Sequence, residues 1–392
     1  MNSTQSILSP QLRVLYLLLV AIGVFFVPAW QWILAFFISQ FLWALALGVK
    51  LPTLLEKFKK ITFFVLIIVV AYGLFPENPG TEWITLDLKL FALKLNAVGL
   101  LDGVTMALRV LTIVIVSILV RQGDPKAIAA GLAALGLPKI AALTIDATLE
   151  LLSDSTRKRK GGGGGRGNGR GKNKESKTGR FKDALKKLSK GDTSILSNAL
   201  TNHIKNVEQF ISEKDNVSAH MARDVAIISG ISLTMLGIKV LKLLPGLPFL
   251  PGHKGILLIP LYIVAGRMTQ TKFGSSTTGF TMGVVAFLLG DGRWGIFEVL
   301  KHVAPGLMVD LLMPLLGRTK KIPSLMVFGA LVALGRFATT TAIALVMQAP
   351  SLVFALLIPS LLVHLSFGII SGIVTAPLLR NLPNMPENTD HE

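Results

Sequence analysis

A basic, glycine-rich stretch divides this chain into two apolar parts. Between Ser153 and Lys190 there are fourteen Lys or Arg residues and three acidic ones, so +11 of the formal net charge of +18 lies in this stretch. Such a segment cannot enter hydrocarbon, and short basic loops stay on the cytoplasmic side of a membrane. We therefore expect a two-part membrane protein joined in the cytoplasm. Residues of about 157–180 should be disordered, because glycine loses the most backbone entropy on ordering.

The composition of the whole chain indicates an integral membrane protein. Hydrophobic residues make up 51% and charged residues 16% of the chain, and the mean hydropathy is +0.61, whereas soluble domains contain about 25% charged residues. The chain has no cysteine, which excludes disulfides and thiolate chemistry. The basic excess is local and has a simpler explanation in topology and anionic lipid, so nucleic acid is not an expected partner.

Apolar runs of membrane-spanning length predict about ten transmembrane helices in two bundles, and thus an all-α fold. Basic residues fall in alternate loops, which places both termini in the cytoplasm of a multi-pass protein of the cell membrane. Residues 51–60 then form an inner loop, residues 77–87 an outer loop, and residues 274–278 an inner turn and helix cap. The predicted spans are residues 12–27, 30–47, 61–74, 95–120, 225–244, 256–265, 277–289, 305–316, 325–347 and 352–374.

The middle of the chain has the pattern of cytoplasmic helices. Residues 124–152 are apolar at helical spacing with charges at intervals, and Gly136 and Pro138 should divide them into two amphipathic helices. The alternative is a fifth span kinked at Pro138. Helical patterning resumes at residues 181–188 and 195–213. The predicted domains are residues 1–122 in the membrane, 123–220 in the cytoplasm with the basic insert, 221–380 in the membrane, and a tail at 381–392.

Residues 103–152 resemble the signature region of the T component of energy-coupling factor (ECF) transporters. In that family an arginine-bearing membrane helix leads through a polar turn, a short helix and a Leu-Pro step into coupling helices. The resemblance covers about residues 10–220. The residues that match in order and spacing are Arg109, Asp124, Pro125, Leu137 and Pro138.

This resemblance implies that separate cytoplasmic ABC-type ATPase subunits dock on the coupling helices. ATP and Mg²⁺ would then bind to those partners, with no cofactor bound directly by this chain. Family members end their coupling helices in Ala-Arg-Gly motifs whose arginine docks into the ATPase. Arg159 is the best match and Arg157 the next, in the segment STRKRKG; the alanine is missing, and no second motif follows.

The segment from about residue 220 to residue 380 resembles the S component, the six-helix substrate-binding subunit of the same transporters. Ala222, Ala226 and Gly230 have the spacing of small residues that lets helices approach closely. In S components an Ala-xxx-Ala face on the first helix packs on the coupling helices, and Ala222 and Ala226 match it. The two resemblances together imply a T component fused to an S component, which imports a small, vitamin-like nutrient.

Several polar residues of the second half are candidates for binding that solute. Arg336 would hold an anionic group and Thr340 would hydrogen-bond, although threonines also join helices. The outer end of the second half adds charges and one stacking surface, for which the alternative is a solvated loop with an interfacial tryptophan. These outer residues are His253, Arg293, Trp294, Glu298, Lys301 and His302.

Asp102 and Arg109 lie two helical turns apart on one face of the predicted span at 95–120. An ionised side chain within a membrane helix is costly and usually paired, so these residues are expected to form a structural ion pair.

Two other classes of function remain open at this point. The alternatives to the importer are an enzyme acting on a lipid or prenyl substrate, with Arg336, Glu298 and His302 as polar groups, and a membrane-anchored scaffold whose basic segment binds nucleic acid or anionic lipid. The six histidines lack metal-ligand spacing, and no phosphate-binding loop motif is present.

Overall fold

The computed structural model describes residues 9–27, 29–76, 81–88, 91–120, 125–161, 194–212, 218–240, 255–289, 295–316, 321–347 and 350–381. The predicted disordered insert is described only at residues 157–161, which are helical. The rest of the insert, the predicted helix at 181–188 and residues 382–392 of the tail lie outside the described residues.

Regular structure in the described ranges is helical except for one β-hairpin. The predicted all-α class therefore fits every described element but the hairpin. The elements up to the basic insert are α1 (Pro10–Gly23), α2 (Trp30–Ala46), α3 (Leu51–Leu74), β1 (Trp83–Leu88), β2 (Phe91–Asn96), α4 (Ala97–Val120), α5 (Pro125–Ala134) and α6 (Lys139–Gly161). Those after it are α7 (Ser194–Ser212), α8 (Ala219–Val240), α9 (Gly255–Met268), α10 (Gly274–Leu288), α11 (Glu298–Leu316), α12 (Ile322–Met347), α13 (Pro350–Ala355) and α14 (Leu357–Asn381). Short 3-10 helices occupy Val24–Phe26 and Gly295–Phe297.

The predicted break between the middle helices is confirmed. Gly136 has a φ of +95°, a left-handed conformation that suits glycine after a helix C-terminus. The Leu137 amide reaches back to the Leu132 carbonyl at 3.2 Å. α5 therefore ends before Gly136, and α6 begins directly after Pro138.

Several predicted boundaries are wrong. Residues 51–60 do not form a loop, because α3 starts at Leu51 and buries Leu54 while most of its neighbours stay exposed. α11 starts at Glu298 and includes Pro305 and Pro314. Residues 274–278 open α10, and the last predicted span is divided between α13 and α14.

An antiparallel hairpin replaces most of the predicted outer loop and the first residues of the predicted span at 95–120. Its register runs from Trp83 opposite Asn96 to Leu88 opposite Phe91. Asn96 is buried, and its Oδ1 accepts a hydrogen bond from the Gly99 amide at 3.1 Å. Asn96 therefore ends the hairpin and caps α4 at the same time.

Among the described residues, four helices are long and apolar enough to cross a membrane, which is consistent with a membrane protein. They are Ala97–Val120, Ala219–Ile238, Ile322–Val346 and Leu357–Asn381. Shorter apolar helices lie at Pro10–Phe26, Trp30–Ala46, Ile61–Leu74 and Gly255–Met268. The predicted number of about ten spans is not reached by length and composition among the residues described.

The chain forms two compact units, and each is made from separate stretches of sequence. Unit 1 contains Met1–Leu137, Ala286–Glu298 and Ala338–Pro359. Unit 2 contains Pro138–Val285, Val299–Phe337 and Ser360–Glu392. These limits differ from the predicted domain boundaries at 122 and 220: α6 and α7 belong with most of the second half, and two stretches of the second half belong with the first.

The core of unit 1 surrounds α4. Gly99 and Gly103 bring α4 so close to α3 that a Cβ on Gly103 would lie 2.8 Å from the Cα of Val69. The core also takes in residues from late in the chain, including Phe297, whose ring meets that of Phe25 edge to face at 6.2 Å.

Close contacts between helices at glycines also occur in unit 2, as two helix pairs illustrate. α10 approaches α11 at Gly279, where an added Cβ would lie 2.1 Å from the His302 carbonyl oxygen. α12 approaches α14 at Gly329, where the carbonyl oxygen of Gly368 would lie 2.2 Å away. Backbones this close leave no room for side chains, which is the usual function of small residues between membrane helices.

The contact between α3 and α4 predicts a difference between two Gly-to-Ala variants. Gly103→Ala should lower the free energy of unfolding by about 1–3 kcal/mol, because its methyl group meets backbone that must move. Gly23→Ala is the matched control, since a Cβ there has nothing within 4 Å. The measurement is thermal denaturation in detergent, and equal midpoints for the two variants would contradict the described packing.

Candidate functional site

Helix α8 carries the predicted small-residue pattern, and its face lies against the middle helices α6 and α7. Ala226 and Gly230 are fully covered and Ala222 is half-buried. A Cβ on Gly230 would lie 2.7 Å from the Ile204 side chain and 2.9 Å from its backbone nitrogen. Gly230 therefore sets the distance between α7 and α8.

The apolar residues of α7 recur at intervals of three and four, which places them on one face of the helix. Its exposed residues include Lys205 and Glu208. The buried residues are Leu196, Leu200, Ile204, Val207 and Ile211. α7 is thus an amphipathic helix whose apolar face is occupied by the rest of unit 2.

A polar contact joins α7 to α8. His203 Nδ1 lies 3.0 Å from Thr234 Oγ1. Burial lowers the pKa of His203 below its ordinary value of about 6.5. The neutral imidazole is therefore the form that suits this contact.

Thr144 of α6 is the centre of a buried group of hydroxyls. Its Oγ1 lies 2.8 Å from Thr281 Oγ1 of α10, and its carbonyl oxygen accepts a hydrogen bond from Ser229 Oγ of α8 at 3.1 Å. The three side chains are fully covered. Because buried hydroxyls need partners, these bonds fix the position of α6 on α8 and α10.

Two buried or partly buried carboxylates hold the turn between α9 and α10. Asp224 of α8 accepts hydrogen bonds from the backbone amides of Gln270 and Thr271 at 3.0 and 2.8 Å. Asp310 of α11 accepts from the first amides of α10, those of Ser275 and Ser276, at 3.1 and 2.7 Å. We call Asp224 and Asp310 the carboxylate clamp.

The carboxylate clamp was not predicted from the sequence. Each aspartate is more than thirty residues from the amides it binds, so no local pattern indicates the pairing. The available signal was an aspartate within each of two apolar helices, Asp224 in α8 and Asp310 in α11.

The solute-binding candidate Arg336 lies in a polar cluster within unit 2. It is close enough to interact electrostatically with Tyr262 and His364. The Tyr262 hydroxyl lies 3.0 Å from His302 Nδ1, and both residues are buried. Tyr262 was not predicted. His302, expected in an outer loop, lies within α11.

The other predicted solute-binding residues are divided between the two units or lie outside the described residues. Glu298 and Lys301 occupy the first turn of α11 and not an outer loop, which corrects the prediction. Glu298 and Thr340 belong to unit 1, whereas Lys301 and Arg336 belong to unit 2. His253, Arg293 and Trp294 lie outside the described residues.

Arg109 donates a hydrogen bond to a backbone carbonyl group. The guanidinium Nη2 donates to the Val27 carbonyl at 2.9 Å. Asp102 and Tyr72 interact with Arg109 electrostatically. Asp102 thus contributes charge at a distance, and the direct partner of Arg109 comes from the segment between α1 and α2.

Arg157 and Arg159 lie in the last turns of α6, and their side chains are outside the described part of the structure. Across the described ranges, no group of three His, Asp or Glu residues could hold a metal ion.

Comparison of the chain with protein-family models, curated proteins and solved structures finds no match. The function is therefore inferred from the geometry described above together with the sequence pattern.

The contact at Gly230 predicts that a methyl group there will loosen α7. Gly230→Ala should destabilise the α7–α8 contact by about 1–3 kcal/mol, because the methyl group meets the Ile204 backbone. Gly237→Ala on the same helix is the control, since a Cβ there has nothing within 4 Å. The measurement is hydrogen exchange of the α7 amides. Faster exchange in Gly237→Ala than in Gly230→Ala would refute the contact.

The lowered pKa of His203 predicts that α7 loosens in acid. A histidine held neutral in the folded state contributes its stability above the ordinary pKa of about 6.5, and this is lost as the pH falls below that value. Hydrogen exchange of α7, corrected for the intrinsic rate, should therefore speed up on acidification. His203→Gln should flatten this dependence. His220→Gln, at an exposed position of α8, should preserve the pH dependence. A dependence that persists in His203→Gln and flattens in His220→Gln would be evidence against a role of His203.

Proposed function

We propose that this chain is a transmembrane subunit of an ECF-type ABC importer, with a T-like and an S-like half in one polypeptide. The S-like half binds a small nutrient from outside, and ATPase subunits supplied separately act on the cytoplasmic helices. The chain then lies in the cell membrane with several spans and both termini in the cytoplasm. One observation carries this proposal: the middle helices α6 and α7 are seated on α8 of the second half.

The seating of α6 and α7 supports a role in transmitting force. Gly230 allows backbone-to-backbone contact with α7, and Thr144 joins α6 to both α8 and α10. Close-packed interiors transmit displacement because they compress little. A movement of α6 and α7 would therefore be passed to α8 and α10 without being absorbed at the contact.

The carboxylate clamp extends the same route. Asp224 lies two residues after Ala222 on α8, and it holds the turn that leads into α10. Asp310 holds the start of α10 from α11. Displacement of α8 would thus reach α9, α10 and α11, which carry Tyr262 and His302.

The polar cluster around Arg336 supports an anionic solute. An ionised arginine in an apolar helix is costly to place and is most useful where it meets negative charge. Tyr262 and His302 add groups that donate or accept hydrogen bonds. A carboxylate or phosphate on the solute fits these groups by charge.

Copurification with an ATPase tests the proposal. The intact chain should retain a cytoplasmic ABC-type ATPase, and Arg157→Ala/Arg159→Ala should reduce retention by about tenfold or more, as expected for removal of buried ionic contacts. Lys158→Ala/Lys160→Ala removes the same charge from the same turns of α6 and is the matched control.

The outcomes separate the three classes of function. If both double variants lost ATPase retention equally, positive charge alone would account for the binding. An intact chain that retains no ATPase would argue against the importer. Deletion of residues 161–177 should leave transport intact, whereas a scaffold would lose its partner. Turnover of a lipid by the purified chain without any ATPase would instead indicate an enzyme.

A further inference from the structure

The β-hairpin between α3 and α4 has two chemically different faces. Successive positions of a strand alternate between the faces of a sheet. By the register, one face holds the pairs Ile84–Leu95, Leu86–Leu93 and Leu88–Phe91, all apolar. We call these six positions the apolar face. The other face holds Trp83–Asn96, Thr85–Lys94 and Asp87–Ala92.

The apolar face is covered by the protein at one position and open at the next. Leu95 is 4% exposed, and its Cδ2 lies 3.2 Å from where a Cβ would stand on Gly73 of α3. Ile84, directly opposite Leu95, is 46% exposed. On the other face, Thr85 and Lys94 are exposed. At its helix end the hairpin thus leans on α3 through Leu95 and leaves Ile84 exposed.

Both helices next to the hairpin also expose large apolar residues. α4 begins one residue after the hairpin and is one of the four helices long enough to cross a membrane. The large apolar residues exposed near the hairpin and on these helices include Ile84, Val98, Leu101 and Val104, with Phe63, Leu66 and Ile67 on α3. A single type of surrounding, the lipid, would cover all of them.

The unpaired edges of the hairpin limit how deep it can lie. Within the described chain the sheet has two strands only, so the outer edge of each has backbone groups without a strand partner. Such edges do not occur within hydrocarbon, because unpaired backbone groups cost several kcal/mol each. The polar–apolar boundary of the bilayer meets both requirements. Trp83, 48% exposed at the helix end of the hairpin, has the side chain most typical of that region.

We propose that the hairpin Trp83–Asn96 is a membrane-interface element whose apolar face lies on phospholipid. Ile84 points toward the acyl chains, and Thr85 and Lys94 face water. Its binding partner is the lipid boundary and not a second protein. The contact fixes the level at which α3 ends and α4 begins. This inference requires a bilayer but no transport, so it can fail while the importer proposal stands, and the reverse.

The absence of cysteine from the natural chain allows a direct test. Ile84→Cys and Thr85→Cys each introduce one thiol, which is labelled with an environment-sensitive fluorophore in the full-length protein. The labelled protein is reconstituted into phosphatidylcholine–phosphatidylglycerol vesicles, with and without lipid that carries a nitroxide near the headgroup end of its acyl chain. Thr85→Cys is the matched control, because it is the neighbouring position on the opposite face.

The label at position 84 should emit at shorter wavelength and lose roughly twice as much fluorescence to the nitroxide lipid as the label at 85, as expected for an apolar face buried about 5–10 Å into the boundary. Equal, weak quenching at both positions would overturn the inference. A blue-shifted label at 84 that the lipid nitroxide does not quench would also overturn it, because protein would then cover the face. Circular dichroism of both variants checks that the fold is retained.

Discussion

The close approach of α7 to α8 at Gly230 is the contact on which the organisation of unit 2 depends. A helix as amphipathic as α7 would otherwise expose a stripe of five apolar residues, from Leu196 to Ile211. Because Gly230 has no side chain, the Ile204 backbone reaches α8 directly. α6 and α7 are consequently packed on α8 within unit 2, whereas α5 belongs to unit 1.

Polar contacts fix the register of the packed helices. Van der Waals contact between apolar helices permits sliding, whereas hydrogen bonds between named atoms fix the register. Thr144 fixes α6 against α10, and Asp224 and Asp310 fix the turn at the start of α10. Since α8, α10 and α11 share these bonds, they are expected to move as a group when α6 and α7 move. This is the property that a subunit driven from the cytoplasm needs.

Local patterns predicted the helices well, and contacts distant in sequence could not be predicted. Apolar periodicity indicated α6 and α7, and Gly136 indicated the end of α5. The hairpin was missed because the alternation from Ile84 to Leu88 was taken for a loop. The start of α11 was missed: the predicted span began at Pro305, whereas the helix begins at Glu298 and continues through that proline. Asp224 and Asp310 act on amides more than thirty residues away, and their role follows only from the fold.

The seating of the middle helices on the second half is tested most directly by a disulfide between α6 and α10. The Thr144 and Thr281 hydroxyls are 2.8 Å apart, so Thr144→Cys/Thr281→Cys places the only two thiols of the chain at bonding distance. After mild oxidation in membranes, trypsin cleaves the basic insert between them. The fragments should migrate together without reductant and separate with it. Fragments that separate in both conditions, with both thiols still open to alkylation, would contradict the packing of α6 on α10.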